Sequence, residues 1–454
     1  MGRLFGKDGL KGIAVTELTC ELAMQIGRAV ASVMSNSSEN ISIVVGKDTR
    51  GSADTLEAAL CAGICSAGAD ALTIGKMPSP AVSCIVRKKR ACAGIMISYS
   101  QRKAEFNGIK VFSPEGFRIS AETEEEIERL VLDTPWKLNP EQKIKYGSII
   151  RCESAEDDYI EYVTSKIKTD LTGMRVALDC GNGSASFTAP RLFKELGAEV
   201  VIMGNNPDST NINKDCGSTA IEGLMSFTKE NSCDCGLAFD GGGERCIAVD
   251  EEGQIVDGDC ITALCAKYLK EIGKLKKNTL VINPANNLGL THFGYDFYMD
   301  IAVSGADERS LIKKLVSEEL SIGGSPAGYV LMPDESPVSD GQFTGARLLE
   351  ILRNSERKMS ELAALLKKMP QVMINVAISR FDSEIWKNDS EITSLIEQCE
   401  NTLGENGRML VREVGKEPVI KVLVEGKDFA QINSIAIEVA EKIKERCTHD
   451  VNKE

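Results

Sequence analysis

With 454 residues the chain is too long for a single core and suggests three or four domains of roughly 100–150 residues each. Its 53 Lys and Arg stand against 67 Asp and Glu, a net charge of −14, which argues against a nucleic-acid or anionic-membrane partner. No stretch approaches the roughly 20 apolar residues of a bilayer span, and residues 1–10 lack the apolar run of a secretory signal, so a cytoplasmic protein is expected.

Leu22, Ile26, Val30 and Val33 share one helical face behind Thr19, whose hydroxyl suits an N-cap. A buried strand over 41–45 then leads through a basic turn, 46–52, to a helix over 53–67 and a strand over 69–74. The backbone amides at such a helix start favour an anion, although an ordinary capped turn reads the same way. After a helix over 80–89, the apolar stretch ending at Ile97 breaks into the polar turn Ser98, Tyr99, Ser100, Gln101, Arg102 and Lys103 and resumes as a strand over 107–112. Ser100, at that exposed strand end, is a candidate nucleophile; a hydroxyl bonding its own backbone is the plainer alternative. A charged helix over 123–132 and a polar linker over 133–146, holding Pro135 and Pro140, close the first unit near Ile150.

The second unit alternates again: helix 157–166, strand 175–180, a Gly181-Asn182-Gly183 break, helix 189–196 and strand 199–204. A long polar loop, 205–218, precedes strands over 235–240 and 246–250, with Gly241, Gly242, Gly243, Glu244 and Arg245 between them. The third unit repeats the pattern with helix 261–272, strand 279–283, a break at 284–289, helix 307–318, a last strand region over 322–330 and helix 346–353. Such alternation predicts mainly parallel sheets with right-handed crossovers. The tail differs: strands over 372–378, 408–413 and 418–425 with helices over 390–403 and 430–446 make a small α+β domain.

The 15 Cys contain no CxxC pair and read as reduced, buried thiols; Cys233 and Cys235 are poorly spaced for zinc. Only two His occur, His292 and His449, and neither falls in a candidate loop, so histidine acid/base chemistry is not expected.

Taken in order, the stretches 5–12, 46–50, 97–110, 211–219, 238–250, 287–290 and 417–426 resemble the α-D-phosphohexomutase superfamily along the full length, and within it the bacterial phosphoglucosamine mutases. The resemblance implies three serial α/β domains and a C-terminal α+β domain around a central cleft. Each domain gives one loop: a phosphoserine loop in 1–150, a metal loop in 151–253, a sugar loop in 254–366 and a phosphate loop in 367–454. It also implies Mg2+, a hexose phosphate ligand, a phosphoryl group carried on Ser100, and Lys110 near the transferring proton.

Each loop departs from the family pattern. The nucleophile loop lacks the histidine, asparagine and proline that follow the serine, and Tyr99 places a ring next to it. The metal loop should carry three Asp; here Asp240 remains, Gly242 replaces the second and Glu244 the third, so a tight Mg2+ site is not expected. The sugar loop keeps its glycine frame but has Ser325, Ala327 and Tyr329 where a glutamate, a serine and a histidine read the sugar. The phosphate loop keeps Arg412 and adds Lys416, and Arg245 and Lys11 complete the expected phosphate binders. Lys7 and Lys11 replace a threonine and an arginine, and Lys lacks the arginine fork.

These losses favour a catalytically lapsed homologue kept as a binding or regulatory module. The alternative is a working mutase moving phosphate between the 6- and 1-positions of glucosamine phosphate or a related hexose phosphate; altered specificity for another anion is a third reading. The resemblance further implies a homodimer, or association with a working mutase or a diadenylate cyclase.

Overall fold

A computed structural model describes residues 2–6, 9–35, 41–134, 146–378, 385–404, 407–413 and 419–447. They fall into a larger compact unit, Met1–Ala285 with Phe297–Leu365, and a smaller one, Asn286–Asp296 with Leu366–Glu454. Most of the expected linker at 133–146 lies outside the described residues, as do Lys7, Lys416 and His449.

The larger unit holds three sheets. In the first, Ser42–Lys47, Asp70–Lys76, Ala93–Ile97 and Ile149–Arg151 run parallel, and Phe106–Phe112 pairs antiparallel with both Ala93–Ile97 and Gly9–Ile13. Ile43, Val44, Val45, Ile95 and Ile97 are fully buried, which explains why these strands read as unbroken apolar runs: helices cover both faces. Thr19 does cap the first helix, Cys20–Met34, accepting from the amide of Leu22 at 3.2 Å.

The second sheet pairs Arg175–Asp179 in parallel with Glu199–Met203 and Cys235–Phe239, and Cys235–Phe239 antiparallel with Cys246–Asp250. Phe239 faces Cys246 in register, so residues 240–245 close a hairpin. The third sheet is smaller: Thr279–Ile282 runs parallel to Asp300–Val303 and Gly323–Gly324, and Gly324 faces Val330 across the sugar-loop turn. The mixed but largely parallel architecture agrees with the expected α/β class.

Several local expectations change. The expected strand region 322–330 is two short antiparallel strands, Gly323–Gly324 and Val330–Leu331. The helix expected over 346–353 spans Gly341–Ser355, capped by Asp340. A Cβ on Gly341 would come within 2.3 Å of the Arg245 carbonyl, so this glycine lets the helix start against the metal-loop backbone. The break expected at 284–289 runs into a helix, Leu288–Asp296, and a further helix, Glu222–Glu230, follows the long polar loop.

In the smaller unit, Gln371–Ala377, Val419–Gly426 and Gly407–Glu413 form an antiparallel sheet. Ile420, Val422 and Val424 pack with Ile432, Ile435 and Val439 of the closing helix, Phe429–Cys447. Asn287 joins its flanking segment to this sheet, donating to Glu425 at 3.1 Å and to the Met369 carbonyl at 3.0 Å.

Candidate active site

The turn after Ala93–Ile97 projects Ser100 in a left-handed conformation, φ 41°. An L-residue held there needs outside support. It comes from three sides. The amide of Ser100 donates to Ser98 Oγ at 3.1 Å, and Asn213 Nδ2 donates to the carbonyls of Ser100 and Arg102 at 2.8 and 2.9 Å. Arg50, wholly buried and ion-paired with Asp48, also donates to the Arg102 carbonyl. Asn213 Oδ1 in turn accepts from the amide of Gly241 at 2.9 Å, so one side chain fixes the nucleophile turn to the metal-loop hairpin.

That hairpin brings Glu244 to Ser100. The serine Oγ donates to Glu244 Oε2 at 2.8 Å and accepts from Lys110 Nζ at 2.7 Å, while Lys110 also ion-pairs with Glu244 Oε1. Burial works against the Glu244 charge, but the Lys110 ammonium, and hydrogen bonds from Lys110 and Ser100, hold its carboxyl down to about 2. Asp240 is fully buried; its Oδ1 accepts from the amides of Glu244 and Arg245 at 2.7 and 2.9 Å, whereas Oδ2 has no partner among the described residues. Burial and the neighbouring Glu244 charge push the Asp240 carboxyl up. Gly242 carries no side chain at this junction, and a Cβ there would lie 3.1 Å from Ser98 Oγ and 3.5 Å from Ser100 Oγ. Among the described residues, no three His, Cys, Asp or Glu side chains converge as a metal site.

Arg245 is turned into the protein, ion-paired with Glu308 and 5.5 Å from the centre of the Tyr329 ring. Tyr329 is buried, its hydroxyl pushed well up by burial and by the charges of Glu308 and Glu244. The sugar-loop turn is tight: the Ser325 amide donates to the Tyr329 carbonyl at 2.9 Å and Gly328 to the Ser325 carbonyl at 3.1 Å. Within it Ser325 Oγ is buried without a partner among the described residues and Ala327 is exposed. Tyr99 does not cover Ser100; its ring meets Phe106 edge-on at 6.2 Å, with Lys11 Nζ 4.6 Å and the Arg102 guanidinium 5.9 Å from its centre.

One unit therefore gathers Ser100, Lys110, Asp240, Glu244, Arg245 and Tyr329, while Arg412 lies on the strand Gly407–Glu413 of the other, opposite Lys421. Glu308, Arg118 and Ser339, none of them singled out in the sequence, complete the surroundings. Ser339 Oγ donates to the Glu244 carbonyl at 2.7 Å, and Arg118 lines the cavity beside Glu244 and Tyr329. No periodic signal marks them, because each is placed by tertiary packing of a different element.

Four family models match in series: "Phosphoglucomutase/phosphomannomutase, alpha/beta/alpha domain I" over 2–136, domain II over 157–253, domain III over 257–369 and the C-terminal domain over 353–442. The chain belongs to this phosphoglucomutase/phosphomannomutase family, the α-D-phosphohexomutase superfamily. Within it the chain lies close to the phosphoglucosamine mutases: it is 41% identical over 446 residues to that of Clostridium novyi, covering 98% of this chain and 99% of the relative. A Burkholderia thailandensis phosphoglucomutase/phosphomannomutase family protein shares the fold with a TM-score of 0.82 at 23% identity, covering 98% of both chains. Aspergillus fumigatus N-acetylphosphoglucosamine mutase, solved with GlcNAc-6P and magnesium, does so with a TM-score of 0.70 at 15% identity over 98% of this chain and 96% of that one.

Proposed function

We propose that this chain is a phosphoglucosamine-mutase homologue that binds a small phosphorylated ligand beside Ser100, turns over hexose phosphate poorly or not at all, and serves as a binding or regulatory module. The observation that carries this reading is the closed set Ser100, Lys110 and Glu244. A serine must lose its proton to attack phosphorus, and the carboxylate that accepts its hydrogen bond is already ion-paired with Lys110 through the other oxygen, which weakens it as a base. The donor set does not fit magnesium: both Glu244 oxygens are engaged, position 242 offers no oxygen, and only one Asp240 oxygen is left over. Magnesium demands a near-ideal octahedron of oxygens, and we propose that it binds weakly or not at all.

The family assignment supports a cytoplasmic carbohydrate-phosphate protein with the four loop donors 1–150, 151–253, 254–366 and 367–454. In this reading Lys11, Arg412 and Lys416 are proposed as phosphate contacts, each within the loop of its own domain; Arg245 is ion-paired with Glu308. If the role is association, the partner class is a second copy, a working mutase or a diadenylate cyclase.

A second reading, an active mutase working through Ser100, is favoured by the placement of Ser100 and Lys110 within hydrogen-bonding distance. Purified chain with Mg2+, glucosamine 1-phosphate and a bisphosphate activator, assayed beside intact-mass detection of phosphate on Ser100, separates the two. The proposal expects trace turnover at most and no accumulated phosphoserine. Rapid turnover that vanishes in Ser100→Ala, with phosphate found on Ser100, establishes the second reading instead.

A further inference from the structure

A cavity of about 390 Å³ opens beside the Ser100 cluster within the larger unit. That is ample for a small molecule. Most of its polar lining is already engaged. Glu244 holds Lys110, Glu308 holds Arg245, and Arg309 holds Glu124 at 2.6 Å. Ser339 Oγ is spent on the Glu244 carbonyl and the Val330 amide, and Ser120 Oγ on the amide of Thr123. What faces the space between is apolar: Phe112, Ile119, Ile312, Tyr329 and Val338.

Arg118 is the exception. Its Nε and Nη2 are buried and donate to no acceptor among the described residues, and its guanidinium lies 5.7 Å from the centre of the Phe112 ring. Its charge acts on Glu244 and Tyr329 from a distance, without a hydrogen bond to either. Lys313, exposed at the same cavity, adds a second positive charge, which the carboxylate of Glu122 on the same lining partly offsets. Nε and Nη2 of Arg118 are closed off from the cavity, which leaves its charged Nη1 end on the wall, able to donate a charge-assisted hydrogen bond to a phosphate oxygen.

We infer that this cavity takes an organic phosphate whose phosphate pairs with Arg118 and whose body is a flat, weakly polar ring rather than a hydroxylated sugar. The inference rests on reading the Ser100 cleft as a small-phosphate site, and it names the ligand class. A sugar would bring several hydroxyls against an apolar wall with its polar groups already committed, and each unpaired hydroxyl opposes binding. An aromatic ring loses nothing there and gains the contact.

Titration calorimetry on the full chain with phenyl phosphate, glucosamine 6-phosphate and inorganic phosphate tests it. Phenyl phosphate is expected to bind at least tenfold more tightly than either other probe. Arg118→Gln weakens it at least tenfold, and Arg118→Met, which keeps the apolar stem but not the charge, does the same should the first variant fold poorly. Val338→Thr weakens phenyl phosphate severalfold and leaves inorganic phosphate unchanged. Glucosamine 6-phosphate binding as tightly as phenyl phosphate, or indifference of folded Arg118 variants, overturns the ring-phosphate assignment alone. No binding by any of the three overturns the small-phosphate reading as well.

Discussion

The ammonium of Lys110 stands 2.7 Å from the hydroxyl oxygen of Ser100, and both belong to one hydrogen-bonded set with Glu244. A fixed cation beside the serine oxygen supplies positive charge at the place where the family reaction needs it. Here the charge is neutralised by Glu244 rather than left to act on a phosphate. Removing that carboxylate strands a buried lysine. Glu244→Gln is therefore expected to destabilise the chain by about 3–5 kcal/mol, and the pair Lys110→Met with Glu244→Gln by clearly less than the sum of the two single changes. Urea unfolding of the four proteins measures the coupling; strict additivity would show that the pair is not coupled.

Gly242 marks the missing ligand. Its would-be Cβ points at Ser98 Oγ and Ser100 Oγ from 3.1 and 3.5 Å, so an aspartate there would present oxygen to the serine. Shortening Glu244 to Asp withdraws it from Lys110. The double variant Gly242→Asp, Glu244→Asp is expected to gain a magnesium-dependent rise in stability of about 2 kcal/mol at saturating metal, absent from the parent chain. Thermal unfolding with and without MgCl2 reads this directly. A parent chain that responds to magnesium as strongly as the variant counts against the proposed loss of the metal.

Much of the fold was legible because buried parallel strands such as Ser42–Lys47 and Ala93–Ile97 are continuous apolar runs ending in polar turns. Ser100, Asp240 and Glu244 were singled out through the resemblance to the phosphohexomutases rather than through periodicity. The start of Gly341–Ser355 was not legible, since Gly341 answers to the Arg245 backbone rather than to local propensity. Nor was Leu288–Asp296, whose Gly289 and Gly294 disguise a helix held by its tertiary setting. The Lys110–Glu244 pair joins residues 134 apart, and Glu308 reaches Arg245 across 63 positions; no window of sequence contains either.

Asn213 carries more than its exposure suggests. It bonds the Ser100 and Arg102 carbonyls and the Gly241 amide at once, and it does so from a left-handed conformation, φ 55°, that asparagine tolerates. Asn213→Ala deletes all three bonds and leaves buried groups unpaired, with an expected loss of about 2–4 kcal/mol. Hydrogen exchange should show faster opening of both the Ser100 turn and the 240–245 hairpin. Faster exchange in only one of them would show that Asn213 does not link the two.

Asp340 gives the fold a pH dependence with a definite sign. Its Oδ1 accepts from Tyr159 Oη at 2.9 Å and from the amides of Gln342 and Phe343, both at 3.0 Å, while Oδ2 is buried without a partner among the described residues. Burial pushes this carboxyl up to about 6 in spite of those bonds, from an ordinary value near 3.8. Between these values the folded chain keeps a proton that the unfolded chain has released. Lowering the pH through this window therefore favours folding at this residue, and above about 6 the buried charge opposes it in full. Asp340→Asn keeps the cap acceptor without the charge. From pH 7.5 to 5.5 the parent should gain about 1 kcal/mol relative to this variant, measured by urea unfolding at each pH. Parallel pH profiles for the two proteins would mean that Asp340 does not titrate in this range.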